Sequence, residues 1–192
     1  QVPQRIRLLW KIDKLCREYK IKVAIHNHPK DSHYWSPETV LKAVEGRSQW
    51  IGACVDVGHW VRSGLDPVDC LKKLEGRIHD VHIKEIDKEK GHDVVWGTGQ
   101  ARMKGILEEL HRQGYLGTFA IEYEHEWDNN VPLIRQSVAY FNSIASTLKS
   151  SGWKDVFNAD LSNADFKEGS WIWQDGAIVL KGGSDLWTKA KY

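Results

Sequence analysis

The chain has no Cys-x-x-Cys pair, and its three cysteines, Cys16, Cys54 and Cys70, are odd in number. That excludes a disulfide framework; all three fall in helix-like or strand-like segments and read as buried thiols. Neither charge is in excess. The count is 27 basic against 26 acidic residues, a net charge of +1, which removes the electrostatic footprint expected of a nucleic-acid, membrane-surface or polyanion binder. No apolar run approaches the ~20 residues of a membrane-spanning helix. No secretory leader is visible either. The chain opens at Gln1 without a Met, so the expectation is that the natural start lies upstream, and the compartment, bacterial cytoplasm or periplasm, stays open.

What is present is a core-forming composition, 41% hydrophobic, and an unusual ten Trp. Aromatic faces often line sugar sites, although packing is the ordinary role of any single Trp. Apolar periodicity gives a helix over 4–20, with Ile6, Leu8, Leu9, Ile12, Leu15 and Cys16 as one broad stripe. A strand follows at 21–26. Ser36 caps a helix with Pro37 at its first position, ended by Gly46. Strands are expected at 51–56, 77–83 and 118–123. Helices are expected from Asp66–Pro67 to Gly76, over 100–113, and over 131–149. Strand and helix thus alternate four times, which implies parallel strands with right-handed crossovers. After Lys149 the texture changes. Ser150, Ser151 and Gly152 look like a linker, and short segments rich in Trp, Gly, Asp and Asn follow, with the alternation of an antiparallel sheet. The 41 residues from Gly152 to Tyr192 are too few for a sandwich of roughly 100 residues.

Four acid or imidazole residues close four successive strands: His26 in VAIHNHP, Asp56 in ACVDVGHW, His82 in DVHIKE and Glu122 in FAIEYEHEW. In a parallel α/β barrel such ends converge on one face. A lone strand-end His is ordinarily a hydrogen-bonded core residue. Four in the same place in consecutive βα units are hard to explain by packing, because buried carboxylates are costly unless paired or metal-bound. Two imidazoles and two carboxylates suit Mn, Zn, Co or Fe better than Ca. A cation there polarises a carbonyl oxygen, and a carboxylate beside it moves a proton on the neighbouring carbon.

VDVGHW, HIKE, the GTG at 97–99 and AIEYE resemble the second half of the xylose-isomerase-like barrel family, which holds sugar isomerases, ketose 3-epimerases and, more distantly, endonuclease four. The resemblance implies an α/β fold: residues 1–149 as the C-terminal half of a TIM barrel, its last four βα units, with the first four upstream. It implies Asp56, His82 and Glu122 as metal ligands and His59 as a substrate contact. Lys84 falls where many members carry a polar substrate contact, and His28 competes as ligand, acid or substrate contact. Where the epimerases carry a catalytic, metal-bound Glu, this chain has His26. Imidazole can bind the metal, but it replaces one of two carboxylates that trade protons on opposite faces of the substrate. One-base chemistry follows, with Glu122 and His26 as catalytic residues: isomerisation, or elimination next to a keto group. Residues 150–192 resemble a linker and the truncated start of the 3-keto-disaccharide hydrolase domain, a concanavalin-like β-sandwich. The matching stretches are WKDVFNADLS at 153–162, QDG at 174–176 and GGSDLWTKAKY at 182–192.

The leading expectation is a divalent-metal-dependent isomerase or epimerase acting on a small sugar or keto-sugar, with no nucleic-acid or membrane partner. The alternatives are a 3-keto-glycoside lyase or hydrolase, and a carbohydrate-binding barrel without activity. An endonuclease needs a further Asp-x-His after the third strand, where this chain reads Asp93-Val94-Val95. Half a barrel also leaves two sheet edges, which opens homo-oligomer formation to it.

Overall fold

Four parallel strands in the order β1-β2-β3-β4 form the sheet, and each is reached from the last through helix. The computed structural model describes residues 4–148 and, beyond them, 161–162, 164–165, 167–168, 171–174, 177–180 and 187–188. The chain divides into two compact units, 1–148 and 149–192.

In the first unit, α1 (Gln4–Tyr19) leads to β1 (Val23–His26), α2 (Pro37–Val44) to β2 (Ile51–Asp56), and α3 (Val57–Arg62) with α4 (Pro67–Lys73) to β3 (Ile78–Ile83). Then α5 (Met103–Arg112) leads to β4 (Phe119–Ile121), and α6 (Val131–Ala145) closes the unit. This is the α/β, TIM-barrel-like arrangement of parallel strands that the alternation implied. The caps explain the boundaries. Ser36 and Thr39 form a reciprocal capping box at α2, and the Asp66 carboxylate accepts from Val68 and Asp69 at the start of α4, each with Pro inside the first turn.

Period-two alternation sorts each strand into two faces. Ile51, Ala53, Val55, Val81 and Ile83 point to the helices and are buried, joined by Ile25, Phe119 and Ile121. Leu71, Leu74, Ile106, Leu107 and Leu110 meet them from α4 and α5, fully buried; such a side chain contributes about 2 kcal/mol by leaving water. Across the sheet the register pairs His26 with Cys54, Cys54 with Asp80, and Asp56 with His82, so the even-numbered residues form rungs on the other face.

Two expectations need correction. The broad stripe on α1 is only half used: Cys16 is buried, whereas Leu8 and Leu15 are 58% and 52% exposed, because one flank of a four-stranded sheet covers only the narrower part of the stripe. And α3 was not foreseen. Asp56 ends β2 and also caps α3, its Oδ1 accepting from the His59 N–H at 3.0 Å, so the helix begins on the residue after the strand.

The long segment from Glu85 to Arg102 is pinned by one carboxylate. Glu85 is buried and accepts backbone N–H groups from Ile86 (3.1 Å), Gly97 (3.1 Å) and Ala101 (2.8 Å). A Cβ on Gly99 would stand 2.5 Å from the same carboxylate and 2.3 Å from the Ile86 carbonyl, so the second glycine of GTG is there for close packing.

In the second unit, β5 (Ala164–Asp165) pairs antiparallel with β8 (Trp187–Thr188), and β6 (Trp171–Gln174) with β7 (Ala177–Leu180). The antiparallel pattern read for this segment is therefore present. Residues 153–160, most of the WKDVFNADLS stretch, lie outside the described residues, as does 182–186.

Candidate active site and metal centre

The sequence-selected residues collect at the C-terminal ends of the four strands. His26, Asp56 and Glu122 each offer a ligand atom within 4.8 Å of the other two. His82 lies against this group: its Nδ1 is 2.7 Å from Glu122 Oε2 and 3.4 Å from His26 Nε2. It also closes a second group, with His26 and Cys54, whose ligand atoms are again within 4.8 Å of one another. The four expected ligands, joined by Cys54, thus form two overlapping triads that share His26.

Asp56 is the fixed point. It has no exposure, and Asn27 holds its backbone in both directions, accepting from the Asp56 N–H at 2.7 Å and donating to the Asp56 carbonyl at 2.9 Å. Its Oδ1 is used by the cap of α3. Its Oδ2 has no hydrogen-bond partner among the described residues, although His59 Nε2 (3.4 Å) and Lys84 Nζ (3.6 Å) stand close. A buried carboxylate oxygen without a partner is costly unless a cation completes it. His26 Nδ1 is likewise buried and unpartnered among the described residues. Donor set, convergence and orphaned oxygen fit a divalent ion.

Lys84 is completely buried, and its ammonium contacts Glu122 Oε1 (3.0 Å), Glu124 Oε2 (2.5 Å) and, more distantly, Asp56. It reaches them by passing under the start of α3. A Cβ on Gly58 would be 2.7 Å from the Lys84 Cβ, so the glycine of VDVGHW makes room for the lysine of HIKE. Expected as a substrate contact, Lys84 faces carboxylates instead. His59 is also buried, against Asp56, while His28 is exposed and stacks on it with ring centroids 5.2 Å apart. His28 and His26 rings are 5.0 Å apart.

The electrostatics split the two carboxylates. Burial pushes Asp56 up to about 6, against the pull of Lys84 and the His59 N–H. Burial also acts to raise Glu122, but the hydrogen bonds from His82 and Lys84 outweigh it and hold the group down at about 2. Burial, with Lys84 and Arg62, lowers His59 to about 4, and burial with His82 lowers His26, so both imidazoles are neutral at neutral pH. Cys54, 7% exposed beneath this layer, is pushed up to about 12 by burial, Asp80 and Asp56.

Sequence reading missed Asn27, Glu124, Cys54 and Glu85 as parts of the centre or its frame. Strand parity would have found Cys54 and Asp80, which share the even-numbered face of the ligands. Asn27 carries no such mark, because its role depends on the spacing of β1 and β2.

The sequence pattern described as "Xylose isomerase-like TIM barrel" matches residues 5–166. An inosose dehydratase of Mesomycoplasma hyopneumoniae is 32% identical over 158 residues, covering 71% of this chain and 52% of that protein. The chain therefore spans about half the length of the curated relatives it matches. A crystal structure of a protein from Parabacteroides distasonis is 39% identical with a TM-score of 0.51, covering 72% of this chain and 55% of that one. A D-tagatose 3-epimerase-like protein superposes with a TM-score of 0.63 over 74% of this chain and 54% of its own, at 23% identity, a likeness of fold. With the pattern matched over most of its length, this chain belongs to the xylose isomerase-like TIM barrel family.

Proposed function

We propose that the chain carries the metal-binding half of an enzyme that abstracts a proton next to the carbonyl of a sugar or keto-sugar, and that elimination of the neighbouring hydroxyl is favoured over two-base epimerisation. The observation that carries this reading is the convergence of His26, Asp56 and Glu122, together with a buried Asp56 oxygen that has no hydrogen-bond partner among the described residues. The inosose dehydratase name of the relatives supports elimination, and so does the imidazole at position 26, where two-base epimerisation would need a second carboxylate.

His26, Asp56 and Glu122, with His82 beside them, would hold a divalent ion, and the chemistry it would supply is polarisation of the substrate carbonyl, which acidifies the adjacent C–H. Mn, Zn, Co and Fe all suit the mixed donor set. Glu122 accepts the proton: its side chain keeps 28% exposure, whereas Asp56 has none. The electron pair left behind forms the new carbon–carbon double bond as the β-hydroxyl departs. The departing oxygen takes a proton from His28, the exposed imidazole of the cluster, and leaves as water. Asp56 stays anionic beside Lys84 and fixes the donor frame, and His59 packs against Asp56. We read the second unit as the opening strands of a concanavalin-like domain that binds or processes keto-glycosides, a reading supported by its two antiparallel ladders and by the QDG stretch of the sequence.

The test uses the protein stripped with chelator and reloaded. Activity on an inosose or a 3-keto-sugar is expected to vanish and return. Substrate α-hydrogen is expected to exchange with deuterated solvent in the wild type but not in Glu122→Gln, whose turnover should fall about 10²–10⁴-fold, the usual contribution of a general base, with a smaller loss of bound metal. Undiminished turnover without metal overturns the proposal.

A further inference from the structure

We propose that His26, Cys54 and His82 form a second, softer metal position one rung below the His26–Asp56–Glu122 group, with Asp80 as fourth donor, suited to Zn²⁺ or Co²⁺ and closed to Mn²⁺ and Mg²⁺. It shares His26 and His82 with the site of the proposed function but stands on its own donors, Cys54 and Asp80, to which that reading gives no role.

The backbone register builds the position. His26 pairs with Cys54 and Cys54 with Asp80, so the three occupy one level of the sheet on the same face; His82 is the next residue up on that face of β3. One ligand atom from each of His26, Cys54 and His82 lies within 4.8 Å of the others. Ligands about 2.0–2.3 Å from a tetrahedral ion stand about 3.3–3.8 Å apart, a closure within reach of side-chain rotation. Asp80 is already in place: its Oδ2 is 3.8 Å from His82 Nε2 and 3.9 Å from Cys54 Sγ. His82 has the right face free for it. With the Nδ1 proton directed at Glu122, Nε2 carries the lone pair, and Nε2 is the nitrogen on the Asp80 side.

The donor set then decides the metal. A thiolate and two imidazoles select borderline and soft ions; Mn²⁺ and Mg²⁺ prefer oxygen ligands and gain little from sulfur. On binding, the Cys54 S–H bond breaks and a metal–sulfur bond forms. The proton passes to the Asp80 carboxylate that the thiol faces and from there to solvent, which frees the Asp80 oxygen to complete the four-coordinate set. No electron changes hands.

Cobalt reads this directly, because Co²⁺ bound to thiolate shows a strong near-ultraviolet charge-transfer band that Co²⁺ bound only to nitrogen and oxygen lacks. Titration of the metal-free chain with Co²⁺ is expected to give that band, and one proton released per thiolate formed. Cys54→Ala should abolish the band and weaken Co²⁺ binding at this position at least about tenfold. Cys16→Ser and Cys70→Ser should keep the band, and circular dichroism monitors folding of each variant. Asp56→Asn should keep it too, since Asp56 belongs to the other group. Visible cobalt bands without the near-ultraviolet band would overturn the soft position and leave the oxygen-rich site standing. A thiolate band in a protein with no metal-dependent turnover would support this inference and overturn the proposed function. A band that survives in Cys54→Ala comes from another thiol and overturns it.

Discussion

At the scale of single residues, the centre is a balance between one buried cation and three carboxylates. Lys84 has no exposure, and its ammonium contacts Asp56, Glu122 and Glu124. Lys84→Met removes the ammonium in contact with two of the candidate metal donors and leaves Asp56 buried beside Glu122. Loss of one member of a buried ion cluster costs about 3 kcal/mol, so a thermal or urea melt of the metal-free protein should register a destabilisation of that order. Glu124→Gln, at a side chain 47% exposed, should cost less than about 1 kcal/mol in the same assay. Asp56 makes a pH prediction with a definite sign. Its folded value is raised to about 6, above the ordinary carboxyl range, so the folded state holds a proton the unfolded state releases. The associated stability is present below about 4 and is lost as pH rises through 6. Glu122 acts the other way: its value near 2 adds stability above the ordinary carboxyl range, which is lost as pH falls toward 2. The lowered His59 and His26 act in the opposite direction over the same range, so the Asp56 share is read by difference: the melting temperature of the metal-free wild type relative to that of Asp56→Asn should be higher near pH 5 than near pH 7.5. A wild-type melting temperature that gains on Asp56→Asn between pH 5 and pH 7.5 would contradict the assignment.

At the scale of elements, the frame of the site is made by caps and carboxylates that tie loop backbone. Glu85 takes three backbone N–H groups at the end of β3 and so orders the whole path to α5. Glu85→Ala leaves those donors buried without their acceptor, at about 1–3 kcal/mol each for what cannot reach water. Amide hydrogen exchange should quicken across 86–101 while β1 and β2 keep their protection. The sequence made the elements legible where local chemistry alone decides them. Ser36-Pro37 and Asp66-Pro67 announced two helix starts, and β-branched runs announced the strands. It hid α3, because Asp56 reads as the last residue of a strand and only its side chain, turned back onto the His59 N–H, shows that it also starts a helix. It hid Asn27 and the Gly58–Lys84 contact for the related reason that both are made between strands or helices far apart in sequence.

At the scale of the whole molecule, alternation of strand and helix was enough to give the parallel sheet, and the strand-end residues were enough to locate the centre. The second triad, in which Cys54 joins His26 and His82, was not legible. It depends on the register shift between Ala53 and Cys54, which no periodicity records. If the donors hold an ion, binding adds stability by mass action. At a free Mn²⁺ concentration one hundred times Kd the unfolding free energy should rise by about 2.7 kcal/mol, measurable as a shift in the denaturant midpoint, and Asp56→Asn should erase it. Every donor of both triads, with Asn27 and Lys84 that hold them, lies between residues 26 and 122 on four consecutive strands. In terms of recombination, the candidate donor set is therefore carried on one uninterrupted stretch of gene. A crossover with a relative anywhere outside that stretch transfers it whole. A crossover between β2 and β3 separates Gly58 from Lys84 and Asp56 from His82, and a chimera built there should lose metal binding even when both parents have it.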